Sequence, residues 1–205
     1  GSDICKYRLH VGSFPRPTAV FPAGGRPGEA VQLSWIGDPQ GPWSTDLLLP
    51  TDGGSAAELF AQTDQGIAPS PIRVRVNELP NVVEAEPNDA REQATACTVP
   101  AALNGIIQQA GDVDRFKFTA NKGQTFDVRV HARQPQRSRL DSVLGIYRAD
   151  GSAIGSNDDD RGPDSYLRFS APDDGEYVIV VHDQLLNGSP EMVYRIEVAP
   201  VRPSL

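Results

Sequence analysis

The sequence has no apolar run long enough to cross a bilayer. Its longest apolar runs, such as Tyr177–Val181, are far shorter than the roughly 20 residues that a membrane helix needs. The chain begins with neither a basic nor an apolar segment of the kind found in leader peptides. Its first two residues, Gly-Ser, resemble a cloning scar. Removal of a leader would leave the same start, so secretion is not excluded. Membrane insertion is therefore not expected.

Low-complexity composition is also absent. Glycine and proline together make up about 18% of the residues, below the roughly 25–30% typical of low-complexity chains. Apolar residues reach 39% and charged residues 22%, which is ordinary globular usage. The 205 residues suffice for one large or two small domains.

Cysteine is scarce, with only Cys5 and Cys97 present. Two cysteines are too few for a disulfide framework, and no CxxC pair is available for zinc or redox chemistry. Cys97 follows Ala94 and Ala96 in a stretch with a buried pattern, where a free thiol behaves as a small apolar group. A single Cys5–Cys97 bridge is the alternative interpretation.

Basic segments are missing as well. The net charge is −8, with six basic against eight acidic residues in residues 1–80 and 13 against 19 in residues 81–205. A phosphate backbone requires a basic face and an anionic membrane requires a polybasic segment. Nucleic acid and membrane surfaces are therefore not expected as partners, whereas the acidic surplus favours a hard cation such as Ca²⁺.

Catalytic motifs do not occur. The three histidines, His10, His131 and His182, lie in or at the end of strand-like segments, and the sequence contains no HExxH, GxSxG or Asp-Thr/Ser-Gly motif. His182 and Asp183 are adjacent, so on a strand they point to opposite faces. No glycine-rich loop opens a helix to cradle a phosphate. The sequence predicts that the chain is not an enzyme.

What the sequence has in quantity is period-two alternation of apolar and polar residues, which predicts an all-β protein. Phe116 and Phe118 alternate with charged residues before a turn at residues 120–123, and Phe126 and Val128 do so after it. This pattern predicts a hairpin with one apolar face. Further strands are predicted at Val143–Tyr147, Tyr166–Phe169, Tyr177–Val181 and Val193–Val198. Six or more short strands in this half indicate a jelly-roll-like sandwich.

The first 80 residues belong to the same class but predict a smaller, immunoglobulin-like sandwich. Val31–Trp35 and Ile72–Val76 alternate as strands, and residues 37–54 read as surface loops around Leu47–Leu49. The strand pattern stops near Leu79-Pro80, where an acidic stretch begins. We therefore predict two β-sandwich domains, residues 1–80 and 81–205, joined by a linker near residues 77–83.

A short internal echo links the two ends of the chain. "YRLHV" at residues 7–11 matches "YRIEV" at residues 194–198. One interpretation is two unrelated half-buried strands. The other is that residues 1–11 contain the closing strand of a preceding copy of the second domain, which would make the chain a fragment of a repeat array.

The densest polar cluster is "EAEPND" at residues 84–89, followed by "GDVD" at residues 111–114. In an extended segment Glu84, Glu86 and Asn88 fall on one face, so their oxygens can converge on one cation. Asp89 has a second interpretation as the first residue of a capping box, Asp89-Ala-Arg-Glu92. The two roles are compatible because a cap uses one carboxylate oxygen.

Four runs carry a family resemblance: "EAEPNDAREQA", "GDVDRFKFTANKGQTFDVRV", "LDSVLGIYRADGSAIGSNDDD" and "FSAPDDGEYVIVVHD". In order and spacing they resemble the bacterial pre-peptidase C-terminal domain over residues 82–199. Related modules include the collagen-binding domains of bacterial collagenases, which are jelly-roll sandwiches that bind calcium through an acidic linker. The resemblance implies a Ca²⁺ site with six ligands: Glu84, Glu86, Asn88, Asp89, Asp112 and Asp114.

A second acidic run, residues 157–160, does not fit an EF-hand, because the twelfth position counted from Asp158 is Phe169 instead of glutamate. Asp and Asn are common in turns, so a solvated turn is the first interpretation and a weaker cation site the second. Tyr177 and Tyr194 start strands at core-facing positions, whereas Tyr147 and Tyr166 are candidates for an exposed ligand surface.

These observations predict a non-catalytic, calcium-stabilised accessory module of a larger bacterial protein, whether secreted, periplasmic or at the cell surface. Its partners are then the other domains of the same polypeptide. The alternative is a module that binds an extracellular polysaccharide or protein and targets an attached hydrolase to its substrate. An exposed aromatic or polar groove on one sheet would favour the alternative.

Overall fold

The fold is built almost entirely from β-strands. The structure, a computed structural model, describes residues 9–52, 54–159 and 162–201. Within these residues the one helical element is a 3-10 turn at Arg91–Gln93, and no helix is long and apolar enough to span a membrane. The sheets stack as two β-sandwiches. The all-β fold class predicted from the sequence is confirmed.

The smaller sandwich comes first in the chain. Its strands are β1 (Ala19–Phe21), β2 (Gly24–Gly25), β3 (Ala30–Ile36), β4 (Trp43–Leu48), β5 (Ala56–Leu59), β6 (Gln62–Thr63), β7 (Gly66–Ile67) and β8 (Ile72–Val76). One sheet has the order β1-β3-β4, the other has the order β2-β8-β5, and β6 pairs with β7. The alternating residues Val31, Leu33 and Trp35 of β3 share a core with Val74 and Val76 of β8.

Strand β4 lies where the sequence predicts only loops. It pairs antiparallel with β3, with Trp43 opposite Trp35, and the two rings stack with centroids 5.9 Å apart. The loop prediction is wrong for residues 43–48, because an edge strand can form with few apolar residues. Its residues alternate between half-buried and exposed, and Ser44, Thr45 and Asp46 keep its apolar content low.

The larger sandwich follows. Its strands are β9 (Asn81–Val83), β10 (Thr95–Ala96), β11 (Ala101–Ile106), β12 (Val113–Ala120), β13 (Thr125–His131), β14 (Ser142–Arg148), β15 (Ala153–Asn157), β16 (Tyr166–Ser170), β17 (Gly175–Asp183) and β18 (Val193–Pro200). They form two five-stranded sheets with the orders β10-β12-β17-β14-β15 and β16-β13-β18-β11-β9. The division into domains at residues 80 and 81 stays a prediction.

The predicted hairpin of residues 116–130 does not form. β12 pairs with β17, whereas β13 pairs with β16 and β18 in the opposite sheet. The turn at residues 120–123 therefore carries the chain across the core, where Phe118 and Phe126 meet edge to face with centroids 6.2 Å apart. Phe169 and Tyr177 complete this aromatic cluster. Each buried aromatic side chain contributes about 1.5–3 kcal/mol of hydrophobic stabilisation.

Two sequence expectations concern the start of the chain. Leu9 and Val11 are 77% and 88% exposed, and residues 9–11 belong to no strand. Residues 1–8, which contain most of the proposed closing strand together with Cys5, lie outside the described residues. Cys97 has a free thiol, half-buried against the core of the larger sandwich, and burial raises its pKa to about 11.

Strand β18 connects the two sandwiches because both of its faces are buried. Tyr194, Ile196 and Val198 point into the core of the larger sandwich. On the opposite face, Val193 packs against Ala19 and Ala23 of the smaller sandwich in a separate apolar cluster. The outer face of β18 is therefore covered by the first part of the chain.

Beside this cluster lies a buried polar network, which we call the junction network: Arg75, Asn77, Asn81, Asn104, Arg195 and Glu197. Arg195 has 0% exposure and donates hydrogen bonds to the side-chain oxygens of Asn77 and Asn81. Arg75 donates two hydrogen bonds to Glu197, at 2.9 and 3.0 Å. Such charge-assisted pairs are strong because the planar guanidinium matches the carboxylate.

The segment 77–83, predicted to be a linker, contributes directly to this network. Asn81 lies in β9, which pairs parallel with β11, and its Nδ2 donates to the Gly24 carbonyl oxygen at 2.8 Å. Asn104 of β11 accepts a hydrogen bond from the Ala23 backbone. The segment is thus held from both sides.

The charge of Glu197 is stabilised by its neighbours. Burial alone would raise its pKa, but the nearby His131 ring and the Arg75 guanidinium outweigh that effect and hold the pKa of Glu197 below its usual range. His131 Nε2 lies 3.3 Å from Glu197 Oε2. The carboxylate is therefore ionised and paired at neutral pH.

Candidate functional site

The acidic residues predicted to bind a cation meet where β9 ends and β12 begins. Carboxylate oxygens of Glu84, Glu86 and Asp114 all lie within 4.8 Å of one another. We call these three residues the acidic group. Three of the six predicted ligands are thus brought together by two segments that are 28 residues apart in the chain.

Glu84 is held in place by the sheet that it follows. Its backbone N–H donates to the Asn104 carbonyl oxygen at 3.0 Å, which extends the pairing of β9 with β11. Its Oε1 accepts the Ile106 N–H at 2.8 Å. The sheet therefore aims the Glu84 side chain across β11 toward the larger core.

Asp114 is an inward-facing acid on β12. It is fully buried, and its Oδ2 accepts a hydrogen bond from the Tyr194 hydroxyl at 2.6 Å. Its Oδ1 is buried with no hydrogen-bond partner. Because a buried carboxylate oxygen without a partner carries a substantial desolvation cost, this atom is available to a ligand.

Asn88 also has buried polar atoms without partners. Its side chain is fully buried, and neither Oδ1 nor Nδ2 has a hydrogen-bond partner. Its backbone N–H donates to Glu86 Oε2 at 2.9 Å, so Asn88 lies directly beside the acidic group. Buried amides are normally bonded.

Asp89 and Asp112 lie close by but have backbone partners. Asp89 Oδ1 accepts the Val113 N–H at 3.0 Å, and Asp112 Oδ2 accepts the Gln108 N–H. Each carboxylate keeps one oxygen outside these bonds. Neither residue belongs to the acidic group. These two predicted ligands therefore lie near the acidic group, but their oxygens do not converge with it.

The capping interpretation of Asp89 is wrong. The short 3-10 turn begins after Ala90, whose backbone N–H donates to the Gln93 side chain at 3.2 Å. Asp89 is therefore one residue too early to cap it, and its carboxylate bonds the start of β12 instead.

The acidic group lacks a counter-charge among the described residues, since none of its members forms a salt bridge. Burial and the charge of Glu84 raise the pKa of Asp114 to about 10, and burial raises the pKa of Glu84 to about 7. Burial also raises the pKa of Glu86. Carboxylates so arranged either hold protons or share a cation.

Sequence reasoning missed two residues of this site. Tyr194 was predicted to be a core residue, and it is buried, but its hydroxyl also contacts Asp114 and Glu84. Gly105 pairs opposite Tyr194, and a Cβ there would overlap Glu84 Oε2 and the Tyr194 hydroxyl. The only signal in the sequence was a glycine within a strand.

The second acidic run forms a turn. Asn157 Oδ1 accepts the Tyr166 N–H at 2.9 Å, and Asp158 Oδ1 accepts the Asp159 N–H. Asp158 and Asp159 are exposed and belong to no group of converging carboxylates in the described part of the chain. Asp160 lies outside the described residues.

The histidines do not form a catalytic constellation among the described residues. His131 contacts Glu197 in the junction network, and His182 Nδ1 lies 2.8 Å from the Asp183 carbonyl oxygen. The Asp183 carboxylate accepts the backbone N–H groups of Leu185 and Asn187 in its own loop and that of Asp141 before β14. It is therefore a structural cap.

The family resemblance predicted from the sequence is confirmed for one stretch of the chain. Residues 112–183 match the family model for the bacterial pre-peptidase C-terminal domain. A curated relative, a probable subtilase-type serine protease of Deinococcus radiodurans, is 37% identical over 98 residues, which is 47% of this chain and 14% of that protein. The chain thus spans only a small part of its curated relative.

Two solved bacterial structures match part of this chain. The pre-peptidase C-terminal domain of a Bacillus anthracis collagenase matches with a TM-score of 0.42 and 15% identity, covering 56% of this chain and 98% of that one. The periplasmic g-type lysozyme inhibitor of Aeromonas hydrophila matches with a TM-score of 0.40 and 18% identity, covering 59% and 99%.

Proposed function

We propose that this chain is a non-catalytic accessory module of a larger secreted, periplasmic or cell-surface bacterial protein, and that Ca²⁺ stabilises it. The observation that supports calcium most directly is the pair of buried oxygens without partners, Asp114 Oδ1 and Asn88 Oδ1, beside Glu84 and Glu86. The match of residues 112–183 to a domain family that accompanies proteases supports the accessory role. Its partners are then other domains of the same polypeptide.

The donor set fits calcium by its chemistry. Ca²⁺ prefers six to eight oxygen ligands, mainly carboxylates and carbonyls, and the acidic group with Asn88 provides four oxygen-bearing side chains. The free oxygens of Asp89 and Asp112 lie at its margin. A bound ion would supply the missing counter-charge and tie the segment after β9 to the start of β12.

The proposal is tested by calorimetry with calcium and with a chelator. A ligand that binds only the folded state at 100 times its Kd stabilises by about 2.7 kcal/mol, which in a chain of this size raises Tm by about 5–10 °C. We expect a rise of this order in differential scanning calorimetry and saturable binding in isothermal titration.

Glu86→Gln tests whether Glu86 is a calcium ligand or only a structural residue. Without calcium it should leave Tm unchanged or slightly higher, because it relieves carboxylate repulsion, yet it should weaken calcium binding at least tenfold. Glu92→Gln, which removes an exposed acid of the neighbouring turn, is the matched control and should bind normally. An unchanged Tm of the wild type in chelator would contradict the proposal.

A second candidate function is recognition of an extracellular polysaccharide or protein. The observation that favours it is a hollow of about 220 Å³ on the outer face of the sheet containing β12, β17 and β14, lined by Tyr147 together with Arg91, Arg115 and Arg148. The Tyr147 ring lies against Gly145, where an added Cβ would come within 2.7 Å of the ring. Aromatic rings that lie flat with polar neighbours suit ligand binding.

The recognition candidate is tested by co-sedimentation with insoluble polysaccharides and collagen. If this face binds a ligand, the wild type should sediment and Tyr147→Ala should lose at least tenfold in affinity. Tyr177→Phe, which keeps the buried ring of a residue inside the core, serves as a control. If neither material retains the wild type, the accessory role alone remains.

A further inference from the structure

A cleft of about 550 Å³ lies between the two sandwiches. One wall comes from the smaller sandwich, with Pro17, Thr18 and the segment Ser70–Arg73. The other wall is the loop between β13 and β14, with Pro135–Arg137 and Arg139. Clefts between packed units are frequent ligand sites because both units supply groups to them.

The loop that forms the second wall is held in place at its start and at Gln136. The carboxylate of Asp164, which is nine-tenths buried or more, accepts the N–H groups of Arg133 and Gln134 at 2.8 and 3.0 Å. Gln136 Nε2 reaches across to the Ala23 carbonyl oxygen at 3.0 Å. The cleft is therefore preformed, which lowers the entropic cost of binding a ligand there.

The charges around this cleft are opposite in sign to the chain as a whole, which carries −8. Arg137 and Arg139 are exposed and form no ion pair with any residue that the structure describes. Arg73 is engaged by Glu58 at 2.7 Å, which leaves Glu191 as the one unpaired acid in the lining. The cleft thus offers two free guanidinium groups against one free carboxylate.

Arg137 has an unusual backbone conformation. Its φ is 65°, in the left-handed region that favours glycine or asparagine. Its N–H donates to the Arg133 carbonyl oxygen at 3.0 Å, which maintains the turn. A long charged side chain at such a position costs stability, and strain of this kind is concentrated at functional sites.

We propose that this cleft binds an acidic polypeptide segment, whose carboxylates pair with Arg137 and Arg139. Guanidinium groups bind carboxylates through paired N–H donors, and clusters of arginine recognise acidic peptide motifs. The lining contains no aromatic ring on which a sugar could stack. Its three prolines and the hydroxyls of Thr18 and Ser70 suit a peptide backbone and side chains instead.

The probe is a fluorescein-labelled hexaglutamate peptide, titrated with the full chain and followed by fluorescence anisotropy at 50 mM salt. We expect saturable binding that weakens as salt is raised. The double variant Arg137→Asn, Arg139→Gln should lose at least tenfold in affinity, and asparagine tolerates the left-handed backbone. A matched double variant, Arg26→Asn, Lys122→Gln, removes the same charge elsewhere and should lose less than twofold.

A variant that binds the peptide more tightly shows that the loss in the arginine variant is not caused by misfolding. Glu191→Gln removes the unpaired acid from the cleft and should tighten binding at least twofold, with an unchanged urea midpoint. Absence of saturable binding, or equal losses in the two double variants, would overturn the proposal. Displacement of the peptide by an oligogalacturonate at equal carboxylate concentration would overturn the assignment to a polypeptide.

Discussion

Replacing Arg195 with methionine is expected to lower the free energy of unfolding by about 3–5 kcal/mol, the cost of removing one partner from a buried charged network. Arg195 has 0% exposure, and its guanidinium donates to Asn77 and Asn81 and lies 3.4 Å from Glu197. The variant leaves these oxygens buried with fewer donors. The loss of hydrogen bonds, more than the loss of hydrophobic contact, drives the effect.

Urea unfolding followed by circular dichroism measures this change. Arg73→Met is the matched control, because Arg73 pairs with Glu58 where both side chains are about half exposed, at 58% and 49%. Exposed pairs contribute only about 0–1 kcal/mol. Equal losses in the two variants would show that the junction network does not stabilise the chain.

The same experiment examines how the two sandwiches are coupled. If the junction network joins them into one cooperative unit, the wild type unfolds in a single transition and Arg195→Met separates it into two. Two transitions in the wild type would instead support the predicted division at residues 80 and 81 into independent domains.

The second large effect is expected for Gly105→Ala, a change of one methyl group. The added Cβ would overlap Glu84 Oε2 and the Tyr194 hydroxyl, so Glu84 must shift within the acidic group and Tyr194 must shift beside it. Overpacking of this kind costs about 1–3 kcal/mol. The displacement of Glu84 should also weaken calcium binding at least tenfold.

Gly175→Ala is the control for this substitution. Gly175 also lies in a paired strand, opposite Ala120, but a Cβ there meets nothing within 4 Å, so Tm and calcium binding should remain at wild-type values. Tm and calcium affinity are measured by the calorimetry described above. If Gly105→Ala binds calcium with wild-type affinity, Glu84 is not a ligand of the cation site.

Alternation in the sequence predicted which residues face the core but not which strands pair. Phe116, Phe118, Phe126 and Val128 are all buried as expected. The same inward pattern is satisfied whether β12 and β13 are neighbours in one sheet or face each other across the core. Only the long-range pairing of β12 with β17 decides between these arrangements, and it leaves no local signal.

The polar face of β18 shows a different limit. The pattern of Tyr194, Arg195, Ile196 and Glu197 is typical of a strand with one solvated face. In the structure that face is covered by the smaller sandwich, so Arg195 is buried. A local pattern cannot reveal that Glu197 is paired with a residue more than a hundred positions away, Arg75.

The acidic group was predictable in part. Glu84 and Glu86 share one face of an extended segment, and the family resemblance added Asp114. Tyr194 and Gly105 were not predictable as site residues, because their contribution depends on the register between β11 and β18. The calcium assignment itself stays a prediction until binding is measured.

The parallel pairing of β9 with β11 determines where a neighbouring domain would sit. Asn81 lies opposite Ala102, which in turn lies opposite Glu197, so the chain enters and leaves the larger sandwich at the same end of one sheet. With strands about 4.7–4.9 Å apart, Asn81 and Glu197 are separated by only about 10 Å. A segment attached after Pro200 would therefore start at the end of the sheet where the chain enters from the smaller sandwich. Both connections would lie at that end of the larger sandwich. The acidic group lies beyond Ile106 at the opposite end of the sheet, away from both of these connections.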